Sequence, residues 1–198
     1  MDIQNLDQRA VLRSMDVVSL VRDDQWELPT PCSRWTSRQL LQHMAAHNHG
    51  FAAAADGETY DASVWNAQPL RGDLRREYAE SAQRVITAFN ADGVLDRKFW
   101  LPEIRKKGMF SARQAISFHF LDYVVHSWDV AAAIGIEIDF DDDIIKAASK
   151  VARREVPSDG PARFGPDSSF QPPIPLPDEA PAQDRLLALL GRNPKWPR

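Results

Sequence analysis

Four ionisable residues in SFHFLDYVVHSWDVAAAIG, namely His119, Asp122, His126 and Asp129, have the spacing to do chemistry together. At about 100° per residue they fall within an arc of roughly 80° on a helix. The rest of the circumference carries Phe118, Phe120, Leu121, Val124, Val125 and Trp128. A helix that is apolar over most of its surface is ordinarily buried, and a charge taken inside must be paired or bind metal. Asp122 and His126 lie four residues apart, so their side chains rise from one face a turn apart. One helix offers two ligands to one ion in this way. The competing reading is a solvated stripe in which Asp122 and His126 form a surface pair.

A second segment, LLQHMAAHNHGF, adds to the set. His43 and His47 are four apart on the flank of an apolar face made by Leu40, Met44 and Phe51, while His49 points away to solvent. One histidine from this helix and the pair from the other would make three nitrogen and oxygen ligands. That leaves a coordination position for water or substrate, as in reactive metal sites. Such ligands suit zinc first, with nickel, iron or manganese as alternatives. His47 and His119 are then candidates for facing substrate or for holding a ligand from behind, against ordinary packing, and Asp129 or His119 could orient a ligand histidine. Cys32, in TPCSRW, reads as a small buried residue in a tight turn rather than an activated thiol, because no basic residue adjoins it.

About four main helices, with a helical C-terminal attachment, have to position these groups. Ile3 to Arg22 is amphipathic, with Leu6, Ala10, Val17, Leu20 and Val21 on one side. Pro29 and Pro31 enforce an extended turn. Thr36 and Gln39 have capping-box spacing and open a helix that stops near Asp56–Gly57. A third helix covers Gly72 to Asn90 and ends at Asp92–Gly93, with Leu74, Tyr78, Ala82, Val85, Ile86 and Phe89 inward. Val94 to Met109 is a loop or short extended piece, and its basic run Arg105–Lys107 is a solvated turn. Ser111 and Gln114 open the most apolar helix, Ala112 to Ile134, closed by Gly135. A fifth helix spans Asp143 to Val156, and Pro157 to Pro181 is an extended strap. AQDRLLALLGR then forms a short docking helix capped by Gly191. Trp35, Trp128 and Trp196 are packing groups, with Trp128 opposite the polar stripe.

The expected architecture is all-α: a four-helix bundle over residues 1–156, with a Pro-rich strap and short C-terminal helix, 157–198, packed on the same domain. Loops longer than those of a minimal up-and-down bundle favour a crossover topology. The formal net charge of −4 argues against a nucleic-acid partner. No apolar run approaches the roughly 20 residues of a membrane span. The start MDIQNLDQRAVL lacks the pattern of a signal peptide, and a single cysteine fits the reducing cytoplasm. Paired bundle faces leave room for a homodimer, with no interface defined.

The stretches TPCSRWTSRQLLQHM, LDYVVHSWDVAAAIG and DRLLALLGRNPKW together touch most of the chain. On them the sequence resembles the actinobacterial branch of the DinB-like, mycothiol-dependent maleylpyruvate isomerase N-terminal family. The resemblance implies a DinB-like four-helix bundle with a divalent metal on its inner face, held by His43, Asp122 and His126. It implies a thiol, mycothiol, acting with an electrophilic small molecule in a transferase or isomerase reaction. The chain departs from the isomerase in having Asp122 where that enzyme has glutamate. A second departure is a short strap and helix in place of a C-terminal domain. A non-catalytic metal-binding or stress-response protein, and a purely structural bundle, are the rival readings.

Overall fold

The computed structural model describes residues 2–57, 61–66, 69–70, 72–104, 108–156 and 170–196; the basic run 105–107 and most of the proline-rich strap lie outside them. Helix α1 (Ile3–Ser19) starts where the Asp2 carboxylate accepts from the Asn5 amide. It ends earlier than its apolar pattern suggests. The Leu20 and Val21 amides turn back to the Val17 and Val18 carbonyls, three residues away rather than four. This tightening moves Leu20, expected inward, out to solvent at 60% exposure, while Val21 is buried.

Helix α2 (Ser37–Asp56) opens with the expected reciprocal cap between Thr36 and Gln39, and closes at Gly57 in the left-handed region. Helix α3 (Leu74–Phe89) is capped by Asp73. Two short antiparallel strands follow, β1 (Lys98–Phe99) and β2 (Phe110–Ser111), so the expected loop contains a two-residue ladder. The second strand runs directly into helix α4 (Ala112–Ala133), whose first turn is capped by Ser111.

The main interfaces pair α1 with α3 and α4, and α2 with α3 and α4. Helices α1 and α2 are therefore diagonal partners, and the chain between them crosses the bundle end. In that crossing Trp26 is buried and Pro29 bridges to Thr36. The four helices form the all-α bundle, and helix α5 (Asp142–Glu155) packs on the outer side of α4. Covered by α1, α2 and α5, α4 is buried around nearly its whole circumference, which explains why it lacks a polar face.

Helix α6 (Ala182–Leu189) lies on α5. The Gln183 side chain accepts from the Phe140 amide and donates to the Ile138 carbonyl, and the Ile174 amide donates to the Ala188 carbonyl. The Gln183 bonds tie α6 to the segment between α4 and α5, and the Ile174 bond ties the end of the strap to α6.

Candidate metal centre

His43 reaches inward from α2, and Asp122 and His126 from α4, one helical turn apart as their spacing requires. One ligand atom from each lies within 4.8 Å of the others. The His126 Nε2 is 3.3 Å from Asp122 Oδ1, and the His43 Nε2 is 4.0 Å from Asp122 Oδ2. The His47 Nδ1 approaches the same Oδ2 at 3.5 Å. Among the described residues that Oδ2 atom is buried and has no donor in good hydrogen-bond geometry, the 3.5 Å approach of His47 being at the limit of one. A buried carboxylate oxygen ringed by imidazoles and lacking a well-placed donor is a misfit in a bare core and a fit for a cation. The donor set of two imidazoles and one carboxylate suits a divalent metal of the zinc type.

The electrostatics separate the histidines. Burial, aided by His47 and His126, pushes the His43 imidazole down to about 2, so it is neutral and its lone pair is free. Burial also opposes charge on His126, but Asp122 and Asp129 outweigh it and raise the group to about 9. His47 is likewise raised to about 9 against burial, by Asp122 and Glu103. Against the same penalty, His126 and His47 hold Asp122 well below the usual carboxylate range. Trp35 covers His43 with ring centroids 4.2 Å apart.

The trio sits on the wall of a cavity of about 610 Å³, whose lining mixes the rings of Trp35, Trp65, Phe110, Phe118 and Phe170 with Arg34, Glu103, Gln114 and Glu155. Trp65 closes on α2 only because residue 50 is glycine. A Cβ there would stand 2.5 Å from the indole ring.

The other candidates on α4 part company. Asp129 lies behind His126, its Oδ2 2.9 Å from the imidazole Nδ1, and is itself gripped by Arg192 at 3.0 Å. His119 does not line the cavity. Its Nδ1 pairs with Asp7 Oδ1 of α1 at 2.7 Å, its ring stacks on Tyr123, and Phe51 and Phe89 close over it. At its level the bundle interior is filled, so the expectation that it faces substrate or steadies a ligand gives way to a core pair. His47 faces the cavity, with Nε2 2.7 Å from Glu103 Oε2. His49 is exposed beside Arg84. Cys32 is buried, and burial pushes its thiol up to about 11. Trp128 is buried as a packing group.

Three partners were not singled out from the sequence. Glu103 lies in a loop without periodicity, and Arg192 follows a helix end; neither position carries a local signal. Asp7 did carry one. It stands among Ile3, Leu6, Ala10 and Val11 of α1, all buried, where an acid needs a partner.

The mycothiol maleylpyruvate isomerase N-terminal domain model matches residues 8–131. Two curated relatives from Mycobacterium tuberculosis, the uncharacterized proteins Rv0738 (strain H37Rv) and MT0763 (strain CDC 1551), are each 31% identical over 191 residues, 94% of this chain and 95% of theirs. The crystal structure of the mycothiol-dependent maleylpyruvate isomerase is similar in fold, with a TM-score of 0.66 at 16% identity, covering 98% of this chain and 90% of that one. A mutant of the same enzyme gives a TM-score of 0.67 at 16% identity, covering 97% and 89%. With more than half its length matched by that model, the chain belongs to the mycothiol maleylpyruvate isomerase N-terminal domain family.

Proposed function

We propose that this protein binds one divalent metal, zinc most readily, through His43, Asp122 and His126. In this reading it uses the ion with a low-molecular-weight thiol such as mycothiol to transfer to, or isomerise, an electrophilic small molecule. One observation carries the reading: a buried Asp122 oxygen among imidazoles, without a well-placed donor among the described residues, on the wall of a cavity lined by both aromatic and polar side chains. When bound, such an ion supplies Lewis acidity that favours the thiolate form of a coordinating thiol near neutral pH.

The remaining roles belong to the protein. His43 offers a neutral imidazole, and Asp122 offsets the cation's charge. Asp129 accepts from His126 Nδ1 and so leaves Nε2 to face the ion. His47, bonded to Glu103 and raised to about 9, stands at the cavity wall as an imidazolium, where it can favour a nearby thiolate and give a proton to product as the new carbon–sulfur bond forms, regaining the proton that the thiol released to solvent. Trp35, Trp65 and Phe170 exclude water and hold the apolar body of the electrophile. Cys32 also lines the cavity, but burial raises its thiol and disfavours its thiolate, so this reading takes the reacting sulfur from outside the chain. A single cysteine suits a reducing, cytoplasmic setting.

Metal analysis of untagged protein should find about one ion per chain. Titration with mycothiol should then give binding heat at micromolar thiol, and mixing with an electrophile should consume the thiol. Metal without thiol binding would point to a non-catalytic metal protein. A stoichiometry near zero would sink the reading altogether.

A further inference from the structure

Arg192 stands outside the bundle in sequence, beyond α6, yet it is only 3% exposed. Its guanidinium grips one carboxylate: Nε is 3.0 Å from Asp129 Oδ1 and Nη2 is 3.0 Å from Oδ2. The same Oδ2 is 2.9 Å from His126 Nδ1. A continuous polar chain therefore runs from the C-terminal tail through Asp129 to the imidazole whose other nitrogen faces Asp122. Geometry in this chain is tight, since a forked guanidinium on a carboxylate fixes both position and plane.

The residue before Arg192 makes a second connection. Gly191 has φ of +77°, and a Cβ there would stand 2.5 Å from the Gln171 side chain and 2.7 Å from its carbonyl oxygen. Only glycine lets the strap end lie this close to the turn. Phe170, next to Gln171, lines the cavity. One turn thus sets both the orientation of a candidate ligand and a wall of the site. If the tail left, Asp129 would lose its cation in a buried setting, and His126 would lose a fixed partner.

We infer that the tail, residues 170–196, is a working part of the metal centre: docking of the tail and binding of the ion are coupled through Arg192, Asp129 and His126. This rests on the ligand assignment above, with Arg192 as a positioning residue that touches neither ion nor substrate. Linkage makes the coupling reciprocal. Whatever affinity the docked tail adds to the ion, the ion adds to docking of the tail.

The test uses the full chain with zinc or cobalt(II) alone, without thiol. In the wild type, zinc should slow hydrogen exchange at the Ile174, Leu190 and Arg192 amides, which donate within the docked tail. Arg192→Met should weaken zinc about 10- to 100-fold in chelator competition, as loss of an orienting partner does. It should also alter the cobalt absorption bands and abolish the zinc response of tail exchange. Arg192→Lys, which keeps the charge but not the fork, should restore part of the affinity. Gly191→Ala should weaken zinc in the same direction while leaving every ligand in place. Zinc that binds the wild type stoichiometrically without changing tail exchange would overturn the coupling. So would an Arg192→Met protein with wild-type affinity and cobalt spectrum, and either result would leave the three-ligand reading intact. A wild type that takes up no zinc would remove both together.

Discussion

Among the histidine–carboxylate arrangements on helix α4, the protein treats two in opposite ways, His119 with Asp7 and His126 with Asp122. The His119 pair is sealed: both side chains are at most 1% exposed, and one imidazole meets one carboxylate at 2.7 Å. At the other, Asp122 meets His126, His43 and His47, the first and last of which also meet Asp129 and Glu103, and the cluster opens on a cavity. The sealed pair leaves its other imidazole nitrogen, His119 Nε2, buried without a partner among the described residues, but His119 does not line the cavity. Three imidazoles converge on Asp122 beside open volume, so the site has room for an ion even though His126 and His47 also meet carboxylates of their own. What distinguishes a site from a core pair here is the count and direction of neighbours, not residue type.

That contrast can be broken most sharply at the sealed pair. Asp7→Ala leaves a buried imidazole without its acceptor and should cost about 3–5 kcal/mol in denaturant unfolding, as breaking a buried pair does. The metal content of the folded fraction should not change. The double replacement Asp7→Leu with His119→Leu should recover most of that stability, because an apolar pair of fitting volume is often as good. A loss of metal in either variant would mean that the two arrangements are one site.

At the open cluster the signs reverse. His126→Ala should retain the fold yet lose metal by at least about 100-fold, read by metal analysis after dialysis; full metal content would refute the ligand assignment. A smaller change is expected at the cavity wall. Gly50→Ala pushes a methyl against Trp65 and should cost about 1–3 kcal/mol of overpacking. It should also weaken thiol or electrophile binding in calorimetry while metal stoichiometry stays the same. The smallest effect belongs to Cys32. With its thiol pushed up to about 11, it is almost wholly protonated at neutral pH, and its rate of alkylation should rise with pH towards 11. Cys32→Ser should leave metal content and thiol turnover within about twofold of wild type; a collapse of turnover would make Cys32 a participant.

Local patterns carried much of the architecture. The reciprocal cap at Thr36 and Gln39 and the apolar run from Ala112 announce their helices because capping and burial act within a few residues. The site was legible as far as helical spacing reaches: the four-residue step from Asp122 to His126 already put both on one face. The same reasoning overreached at His119, since periodicity reports which face a residue occupies and not what fills the space before it. It was silent on Glu103 and Arg192, whose roles arise from contacts across 56 and 63 residues of chain. It also kept Leu20 on a buried face that a tightened last turn removed.

By itself, then, the sequence determined the helices, their inner faces and the stock of ligand-bearing side chains, because backbone hydrogen bonding and side-chain period are local. Only the tertiary structure decided which imidazoles share a carboxylate, which are walled into the core, and that an arginine from the tail stands behind a ligand. Those choices depend on which surfaces exclude water together, and water exclusion belongs to the assembled bundle rather than to any one segment.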